Sequence, residues 1–255
     1  MLLAIDMGNT QTALGLFDAD ELVRSWRMPT DRTFTADEIH VRLLGYLRMY
    51  GLTLECVDEI AFAGVVPQLT REWRAFAQRI AARSIAVGAD TAAVTCIHAP
   101  HPEEVGADRI ANAVAAYELY GGPCITIDFG TATSFGVISK RGEFLGGAIC
   151  PGIKLAADAL TDRTAKLPRF ELQRPESVIG KNTVANMQSG IVYGYIGQVS
   201  YLVERMKREI GEPNAKVIAT GGLALLVAGD SNVIDVLDGL LTLKGLCLIY
   251  GKNAG

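Results

Sequence analysis

Short apolar runs alternate along the chain with longer amphipathic stretches. Such runs, bounded by turn residues, predict buried strands, whereas apolar positions spaced three or four residues apart predict helices. In the first half the predicted strands are 2–6, 12–18, 21–27, 57–66 and 84–88, and the predicted helices are 35–50 and 68–83. Thr35 and Glu38 fit a capping box at the first helix, and Gly51 fits its stop. This alternation predicts an α/β fold.

The second half repeats this order. Its predicted strands are 124–128, 133–139, 143–149 and 215–220, and its predicted helices are 152–160, 183–210, 222–229 and 240–250. Low-complexity linkers do not separate the halves, so we place the join beside the helix predicted at 108–122, which ends at a Gly pair. The sequence therefore predicts two domains, at 1–115 and 116–255.

An Ile-Asp-x-Gly turn occurs once in each half. One such turn is an ordinary structural feature, because Asp and Gly are common turn residues. Two copies in matching strand–turn–strand contexts indicate a duplication. A shift of 122 residues superposes Ile5 on Ile127, Asp6 on Asp128, Gly8 on Gly130 and Thr12 on Ser134.

Composition narrows the classes of function. The chain has 255 residues, 49% of them apolar, and a net charge of −4 without a Lys/Arg run, so we expect no nucleic-acid partner. It lacks an apolar run of about 18 residues and an N-terminal basic region, so we expect no membrane segment and a cytoplasmic location. Its five cysteines form no Cys-x-x-Cys motif, which suits a reducing compartment.

The chemistry of the paired turns points to phosphate. Glycine lets backbone N–H groups approach an anionic oxygen closely. Side-chain donors for phosphate stand beside each glycine, at Asn9, Thr10, Thr12, Thr131 and Thr133. A carboxylate at the strand end can reach phosphate through a hydrated cation. Two facing turns would hold a polyphosphate and its metal, as phosphoryl transfer requires.

Other nucleotide-binding motifs are absent from the sequence. It contains neither G-x-G-x-x-G nor G-x-x-x-x-G-K-[ST], which disfavours the Rossmann and P-loop routes. A third element, Gly221-Gly222 between a strand and a helix, could lie against a nucleotide base or present helix N–H groups to phosphate. Taken alone, such a glycine pair is more often simple turn geometry.

The motifs together resemble the type III pantothenate kinase family, within the superfamily of actin, sugar kinases and heat-shock ATPases. The resemblance implies two actin-like (ribonuclease H-like) domains with a nucleotide cleft between them. It covers nearly the whole chain in the family's order. The segments that carry it are IDMGNTQTALGLF, EVGADRIANAVAAYELYGGP, DFGTATSF, LGGAICPGI, RTAKLP, SVIGKNTVANMQSGIVYGY and VIATGGLA.

The resemblance implies ATP-dependent phosphorylation of pantothenate at its 4′-hydroxyl, the first step of coenzyme A synthesis. It implies Mg²⁺ near Asp6, directly or through water, and a monovalent cation, K⁺ or NH₄⁺, at Asp128. Asp108 matches the catalytic base, and Thr183 matches a substrate contact made across a homodimer interface. The implied ATP contacts are Asp6, Gly8, Asn9, Thr10, Gln11, Thr12, Ala13, Thr131, Gly221 and Gly222, and the implied pantothenate contacts are Gly106, Ala107, Asp108, Arg109 and Thr183.

Two side chains of the Gly-Ala-Asp-Arg segment also have simpler interpretations. Asp108 lies at the start of a predicted helix, where the helix dipole favours an ionised carboxylate that can accept a proton. The same position suits an acid that only stabilises the helix. Arg109 offers a planar fork for a carboxylate, and its alternative role is to pair with Glu103 or Glu104.

The segment before Gly106 departs from the family pattern. The family has Tyr-Asp-Asn where this chain has Ala99, Pro100 and His101. Losing one aromatic wall would cost about 1 to 3 kcal/mol of substrate binding. His98 and His101 lack companion metal ligands at matching spacing, so we interpret them as loop residues.

This departure keeps two alternatives open. One is a kinase of another small hydroxy acid on the same scaffold, and the other is a nucleotide-binding regulator without catalytic activity. Separately, the spacing of Gly190, Gly194 and Gly197 suggests either close helix packing, as at a dimer interface, or a kinked helix.

Overall fold

The computed structural model describes residues 1–64, 66–91, 96–229 and 232–254. Residue 65, within the predicted strand 57–66, lies outside this description. The strands are β1 (Leu2–Met7), β2 (Gln11–Asp18), β3 (Glu21–Pro29), β4 (Glu59–Gly64), β5 (Arg83–Ala86), β6 (Cys124–Phe129), β7 (Ala132–Ile138), β8 (Phe144–Pro151), β9 (Lys216–Thr220) and β10 (Val236–Leu237). The helices are α1 (Ala36–Arg48), α2 (Pro67–Ile80), α3 (Ala107–Tyr120), α4 (Ile153–Asp162), α5 (Thr183–Glu209), α6 (Ala224–Ala228) and α7 (Leu241–Asn253).

Two compact units form from these elements. Unit 1 comprises Met1–Leu119, Gly142–Phe144 and Leu240–Gly255, and unit 2 comprises Tyr120–Arg141 and Leu145–Gly239. The predicted division at 115/116 lies close to the end of unit 1's first segment. The predicted second domain also included α7, which the structure instead packs against β1, β2 and β4 of unit 1. The apolar side chains of α7 fill that core, and the helix therefore belongs to unit 1.

Unit 1 is built on a sheet whose faces are both covered. Its strand order is β3-β2-β1-β4-β5, with β1 antiparallel to β2 and parallel to β4. Alternate residues of β1 point to opposite sides: Leu3 and Ile5 pack in the cluster that includes α1 and α2, whereas Leu2 and Ala4 pack in the cluster that includes α3 and α7. Burial of both faces explains the nearly continuous apolar run of β1.

The predicted capping box of α1 is confirmed. The Thr35 side chain accepts a hydrogen bond from the Glu38 backbone, and the Glu38 carboxylate accepts one from the Thr35 N–H. The helix ends at Arg48, and Gly51 follows in the turn with φ +70°. Such reciprocal bonding satisfies N–H groups that the first helical turn leaves without partners.

Unit 2 repeats the sheet pattern with the order β10-β9-β6-β7-β8. Its core joins Ile125 and Ile127 of β6 to Val192, Val199 and Val203 of α5. Helix α5 runs from Thr183 to Glu209 without interruption, so its glycines do not break it. Among the described residues, nothing lies within 4 Å of a Cβ placed at Gly190, Gly194 or Gly197, so this glycine face stays open in the single chain.

Helix length and hydropathy also bear on membrane association. In the described part of the chain, none of the helices combines the length and the apolar character that a membrane crossing needs.

Candidate active site

The first Asp-x-Gly turn joins β1 to β2. Asp6 is half-buried near the end of β1, and the last residue pair of the ladder is Met7 with Thr12. The Gly8 N–H donates to the Gln11 carbonyl at 3.1 Å, which closes the turn. Asn9, Thr10 and Gln11 are exposed. The turn therefore offers its side-chain donors to solvent beside a carboxylate.

Thr30 braces this turn from the neighbouring strand. Its hydroxyl donates to the Gly8 carbonyl at 2.8 Å and lies 3.0 Å from the hydroxyl of Thr12, while its N–H donates to the Thr10 carbonyl at 2.9 Å. The sequence analysis missed Thr30. The signal lies in the register of β2 and β3, which pairs Gln11 with Pro29 and brings the next residue to the turn.

The second Asp-x-Gly turn joins β6 to β7 and is one residue shorter. Here Gly130 donates to the Ala132 carbonyl at 3.1 Å, and the last ladder pair is Phe129 with Thr133. Asp128, half-buried, pairs with Ser134, as Asp6 pairs with Ala13. The predicted superposition of Thr12 on Ser134 is therefore wrong, because the shorter turn makes Thr133 the equivalent of Thr12.

Thr12 and Thr133 do not face solvent as the sequence analysis expected. Each is 1% exposed. The Thr12 hydroxyl lies against Thr30, and the Thr133 hydroxyl is hydrogen-bonded to the Tyr195 hydroxyl. Burial raises the pKa of Tyr195, and the bond with Thr133 acts in the opposite direction. Both threonines therefore hold their turns from inside, because a side chain that points into the strand layer cannot reach a ligand at the turn.

Two glycines pack against the second turn. A Cβ on Gly152 would overlap the Thr131 carbonyl and lie 2.6 Å from the Gly130 carbonyl oxygen, and the Gly152 N–H donates to Thr131 at 3.1 Å. Gly221 has φ +95°, and a Cβ there would lie 2.6 Å from the Phe129 oxygen. Only glycine fits such close backbone approaches.

Beyond these contacts, Thr131 and Gly222 are exposed to solvent. Helix α6, which follows the glycine pair, has only five residues. Because a helix this short has a weak dipole, Gly221 and Gly222 matter for the shape of their backbone and not for a charge at the helix start. Sequence patterns predict a role for Gly221 and Gly222 but not for Gly152, which stands between Pro151 and Ile153.

Asp108 and Arg109 lie in the first turn of α3. The Ile110 N–H donates to the Gly106 carbonyl at 3.1 Å, so Gly106 opens the helix. A Cβ on Gly106 would lie 2.5 Å from Asp108 Oδ1, so the carboxylate rests over the glycine. Asp108, like Ala107 beside it, is half-buried. This position leaves the acid near bulk water at the tip of a helix.

The Arg109 guanidinium lies over an aromatic ring. Its Cζ is 5.2 Å from the centroid of the Phe144 ring, within the range of a cation–π contact. Burial lowers the pKa of Arg109, and the charge of Asp108 acts in the opposite direction. Glu103, one of the alternative partners considered for Arg109, has its carboxylate 3.3 Å from the His101 ring.

The segment with the departure from the family pattern is anchored on residue 144. The His98 N–H donates to the Phe144 carbonyl at 2.9 Å, and the Phe144 N–H donates to the Cys96 carbonyl at 2.8 Å. His98 Nε2 lies 3.2 Å from Glu143 Oε1. Ala99 is half-buried, whereas Pro100 and His101 are exposed. Residues 92–95, which precede this segment, lie outside the described chain.

Metal ligands are sparse at these positions. Within residues 1–64, 66–91, 96–229 and 232–254, the structure contains no group of three or more His, Cys, Asp or Glu side chains placed to hold a metal ion. Each Asp-x-Gly turn instead supplies one carboxylate, from Asp6 or Asp128, and exposed backbone. A cation there would need oxygens from a ligand or from water to complete its coordination.

Thr183 begins α5 and is exposed. Asn182 caps the helix, since its Oδ1 accepts a hydrogen bond from the Ala185 N–H at 2.9 Å. Thr183 lines an open groove of about 360 Å³ whose apolar walls include Leu160, Met187 and Ile191. The predicted site residues thus fall in both units: Asp6, Asp108 and Arg109 in unit 1, and Asp128, Thr131, Gly221 and Thr183 in unit 2.

Comparison with known proteins gives consistent matches over the chain. A family model described as type III pantothenate kinase matches residues 2–205. A type III pantothenate kinase from Moorella thermoacetica is 50% identical over 254 residues, covering 99% of this chain and all of the relative. Another, from Streptomyces coelicolor, is 50% identical over 261 residues, covering 99% and 98%.

Solved structures share the fold at lower identity. A Baf family protein from Campylobacter jejuni aligns with a TM-score of 0.63 at 18% identity, covering 99% of this chain and 98% of that one. An activator of 2-hydroxyisocaproyl-CoA dehydratase from Clostridium difficile aligns with a TM-score of 0.54 at 13% identity, covering 99% and 95%. The expected fold class, with two actin-like domains, is confirmed by these neighbours and by the two five-stranded sheets.

Proposed function

The chain belongs to the type III pantothenate kinase family, and we propose that Asp108 is the base of its reaction, the ATP-dependent phosphorylation of pantothenate that begins coenzyme A synthesis. The observation that carries this proposal is the half-buried Asp108 carboxylate beside the Arg109 guanidinium at the tip of α3. The acid accepts the proton of the 4′-hydroxyl as that oxygen attacks the γ-phosphorus of ATP, and the bond from phosphorus to the ADP oxygen breaks.

The two Asp-x-Gly turns bind the ATP phosphates in this proposal. The exposed Asn9, Thr10 and Gln11 supply donors in unit 1, and the backbone of Gly8, Thr12 and Ala13 shapes the turn beside them. Thr131 supplies a donor in unit 2. The exposed Gly222 offers bare backbone to the nucleoside, and Gly221 sets the shape of this turn through its close approach to Phe129. Preorganised donors of this kind lower the barrier to phosphoryl transfer.

Cations complete the charge balance. The half-buried Asp6 carboxylate, next to the exposed donors, fits Mg²⁺, which binds one or two carboxylates together with phosphate oxygens and water. Asp128 Oδ1 lies 3.7 Å from a Cβ placed on Gly130, so carboxylate and backbone oxygens occur together at the second turn. This oxygen-rich set suits K⁺ or NH₄⁺. Such ions would neutralise the negative charge of the bound nucleotide.

Pantothenate binds through its carboxylate. The planar Arg109 fork matches a carboxylate in bidentate geometry, and the backbone of Gly106 and Ala107 lines the approach to Asp108. Ala99 leaves this end of the site without the family's aromatic wall. We therefore assign most of the orientation of the substrate to Arg109.

A homodimer completes the site in this proposal, with Thr183 of one chain reaching the substrate of the other. The open glycine face of α5 and the apolar groove beside Thr183 support it, as do the exposed Ile149 and Ile179, which are 64% and 81% exposed. We also propose a cytoplasmic location, which suits the free cysteines of the described chain.

The test is a pantothenate phosphorylation assay with ATP, Mg²⁺ and K⁺ on the wild type and on Asp108→Asn. We expect the variant to lose roughly a hundredfold to ten-thousandfold in kcat, as removal of a general base does, while the fold is retained with only a small fall in melting temperature. Glu104→Gln, an exposed neighbour, is the matched control and should keep the wild-type rate. Near-normal turnover in Asp108→Asn would remove Asp108 from the role of base.

A further inference from the structure

We propose that Phe144 is the positioning residue that fixes the Arg109 guanidinium for the carboxylate of the substrate. This inference rests on the proposed role of Arg109 in binding pantothenate. Phe144 itself is 1% exposed, so its ring acts through Arg109 and does not contact the substrate. Phe144 was not among the residues that sequence patterns selected.

The backbone that carries the Phe144 ring is held by hydrogen bonds on both sides. The Phe144 N–H donates to the Cys96 carbonyl, and the Phe144 carbonyl accepts from the His98 N–H. These two bonds form an isolated parallel β-bridge between Phe144 and Ile97. Residues Gly142–Phe144 belong to unit 1, although the chain on either side belongs to unit 2. The start of β8 thus delivers one aromatic ring to the first turn of α3.

The ring constrains the guanidinium in a way that suits carboxylate binding. The Phe144 ring occupies one side of the Arg109 guanidinium, and the N–H donors of a guanidinium lie in a single plane. That plane is the one in which a carboxylate accepts two parallel hydrogen bonds. A free arginine side chain must lose rotamer freedom on binding, whereas an arginine already stacked has lost much of it.

The arrangement also bears on the missing aromatic residue at position 99. The segment that contains Ala99 is tied to residue 144 by the two backbone hydrogen bonds, so the segment and the ring are fixed to one another. Ala99 cannot orient the substrate by stacking. The orientation of Arg109 therefore carries more of the recognition of the carboxylate, and the Phe144 ring secures that orientation.

The experiment compares Phe144→Leu, which keeps an apolar side chain but removes the π face, with the wild type and with Phe76→Leu. Phe76 is an equally buried ring of unit 1, on α2, and it packs in the cluster on the opposite side of the sheet from α3. We expect Phe144→Leu to raise the KM for pantothenate about tenfold with kcat nearly unchanged, whereas Phe76→Leu lowers only the melting temperature. An equal KM for pantothenate in both variants would overturn the proposal.

A second comparison separates this inference from the role of Arg109. Arg109→Met should raise the KM for pantothenate, and adding Phe144→Leu to it should have no further effect, since the two act as one unit. The neutral amide of pantothenate should show the same KM with wild type and Phe144→Leu. If Arg109→Met leaves the KM unchanged, the proposed role of Arg109 fails; if it raises the KM while Phe144→Leu does not, only the role of Phe144 fails.

Discussion

Thr12 and Thr133 occupy equivalent positions in the two units. Each is the first residue of the returning strand that pairs with the end of the preceding one, opposite Met7 and Phe129 respectively. Each is buried, and the hydroxyl of each contacts another hydroxyl, from Thr30 in unit 1 and Tyr195 in unit 2. The duplication therefore extends to how each turn is held, although the bracing side chains come from different elements.

Removing the Thr30 hydroxyl should loosen the first turn. Thr30→Val keeps the shape of the side chain but loses the bond to the Gly8 carbonyl and the contact with Thr12. We expect a loss of about 1 to 2 kcal/mol in unfolding free energy. We also expect a fall of roughly tenfold to a hundredfold in kcat/KM for ATP, because small displacements of positioning groups are costly.

Steady-state kinetics with varied ATP, together with thermal unfolding, checks this. Thr33→Val is the control, since the exposed Thr33 donates its hydroxyl hydrogen bond to the nearby Asp31 carboxylate at 2.7 Å rather than to the turn. It should leave the KM for ATP unchanged. A Thr30→Val protein with lower stability but an unchanged kcat/KM for ATP would show that the brace serves folding alone.

A methyl group at position 152 should displace the second turn. The backbone of Gly152 has φ −65°, which alanine adopts readily, so the effect of Gly152→Ala is steric. Its Cβ would press on the carbonyls of Gly130 and Thr131, and we expect a cost of about 1 to 3 kcal/mol and a higher KM for ATP. Gly239→Ala is the control, because the described chain leaves open space there. Equal KM values in the two variants would contradict a role for Gly152 in shaping the turn.

The sequence predicted the helices and strands more completely than the contacts between them. Apolar runs such as β1 and β6 are visible because successive residues of each strand are buried, and the capping box of α1 is a local pattern. The bounds differ by a few residues, and the two-residue β10 carries no periodic signal. The unit in which α7 packs could not be predicted, because its apolar residues would suit the core of either unit.

The proposed site residues also differ in how far the sequence alone predicts them. The turns that contain Asp6 and Asp128 follow from the motif, and Asp108 follows from the resemblance to the family. Thr30 and Phe144 were not predictable from local sequence, because each reaches its partner through strand register or a backbone bridge. The burial of Thr12 and Thr133 also depends on register, which the shorter second turn shifts by one residue.

Removal of the Asp128 carboxylate should weaken the binding of the proposed monovalent cation. We expect Asp128→Asn to need roughly tenfold more KCl for half-maximal rate, which corresponds to about 1.4 kcal/mol of cation binding. Rates measured against KCl at constant ionic strength and fixed Mg²⁺ check this. Asp158→Asn, an exposed acid on α4, should keep the wild-type dependence. If Asp128→Asn also keeps it, the cation binds elsewhere.

A complementation experiment tests whether Thr183 acts on the partner's substrate. Thr183→Glu places a negative charge where it should repel the carboxylate of pantothenate, while an acid at the start of α5 favours the helix. Alone, Thr183→Glu and Asp108→Asn should each be nearly inactive. After subunit exchange, a mixed dimer would hold one intact site, built from Asp108 of one chain and Thr183 of the other.

Random pairing makes about half of the dimers mixed, so we expect an equal mixture to recover about a quarter of the wild-type rate. Native mass spectrometry reports whether mixed dimers form, and each variant incubated with itself is the control. Mixed dimers without recovered activity would place Thr183 in the same chain's site, and a Thr183→Glu protein that is active alone would place it outside the site. Absence of dimers in the wild type would contradict the homodimer itself, because a site completed by a second chain requires stable pairing at the assay concentration.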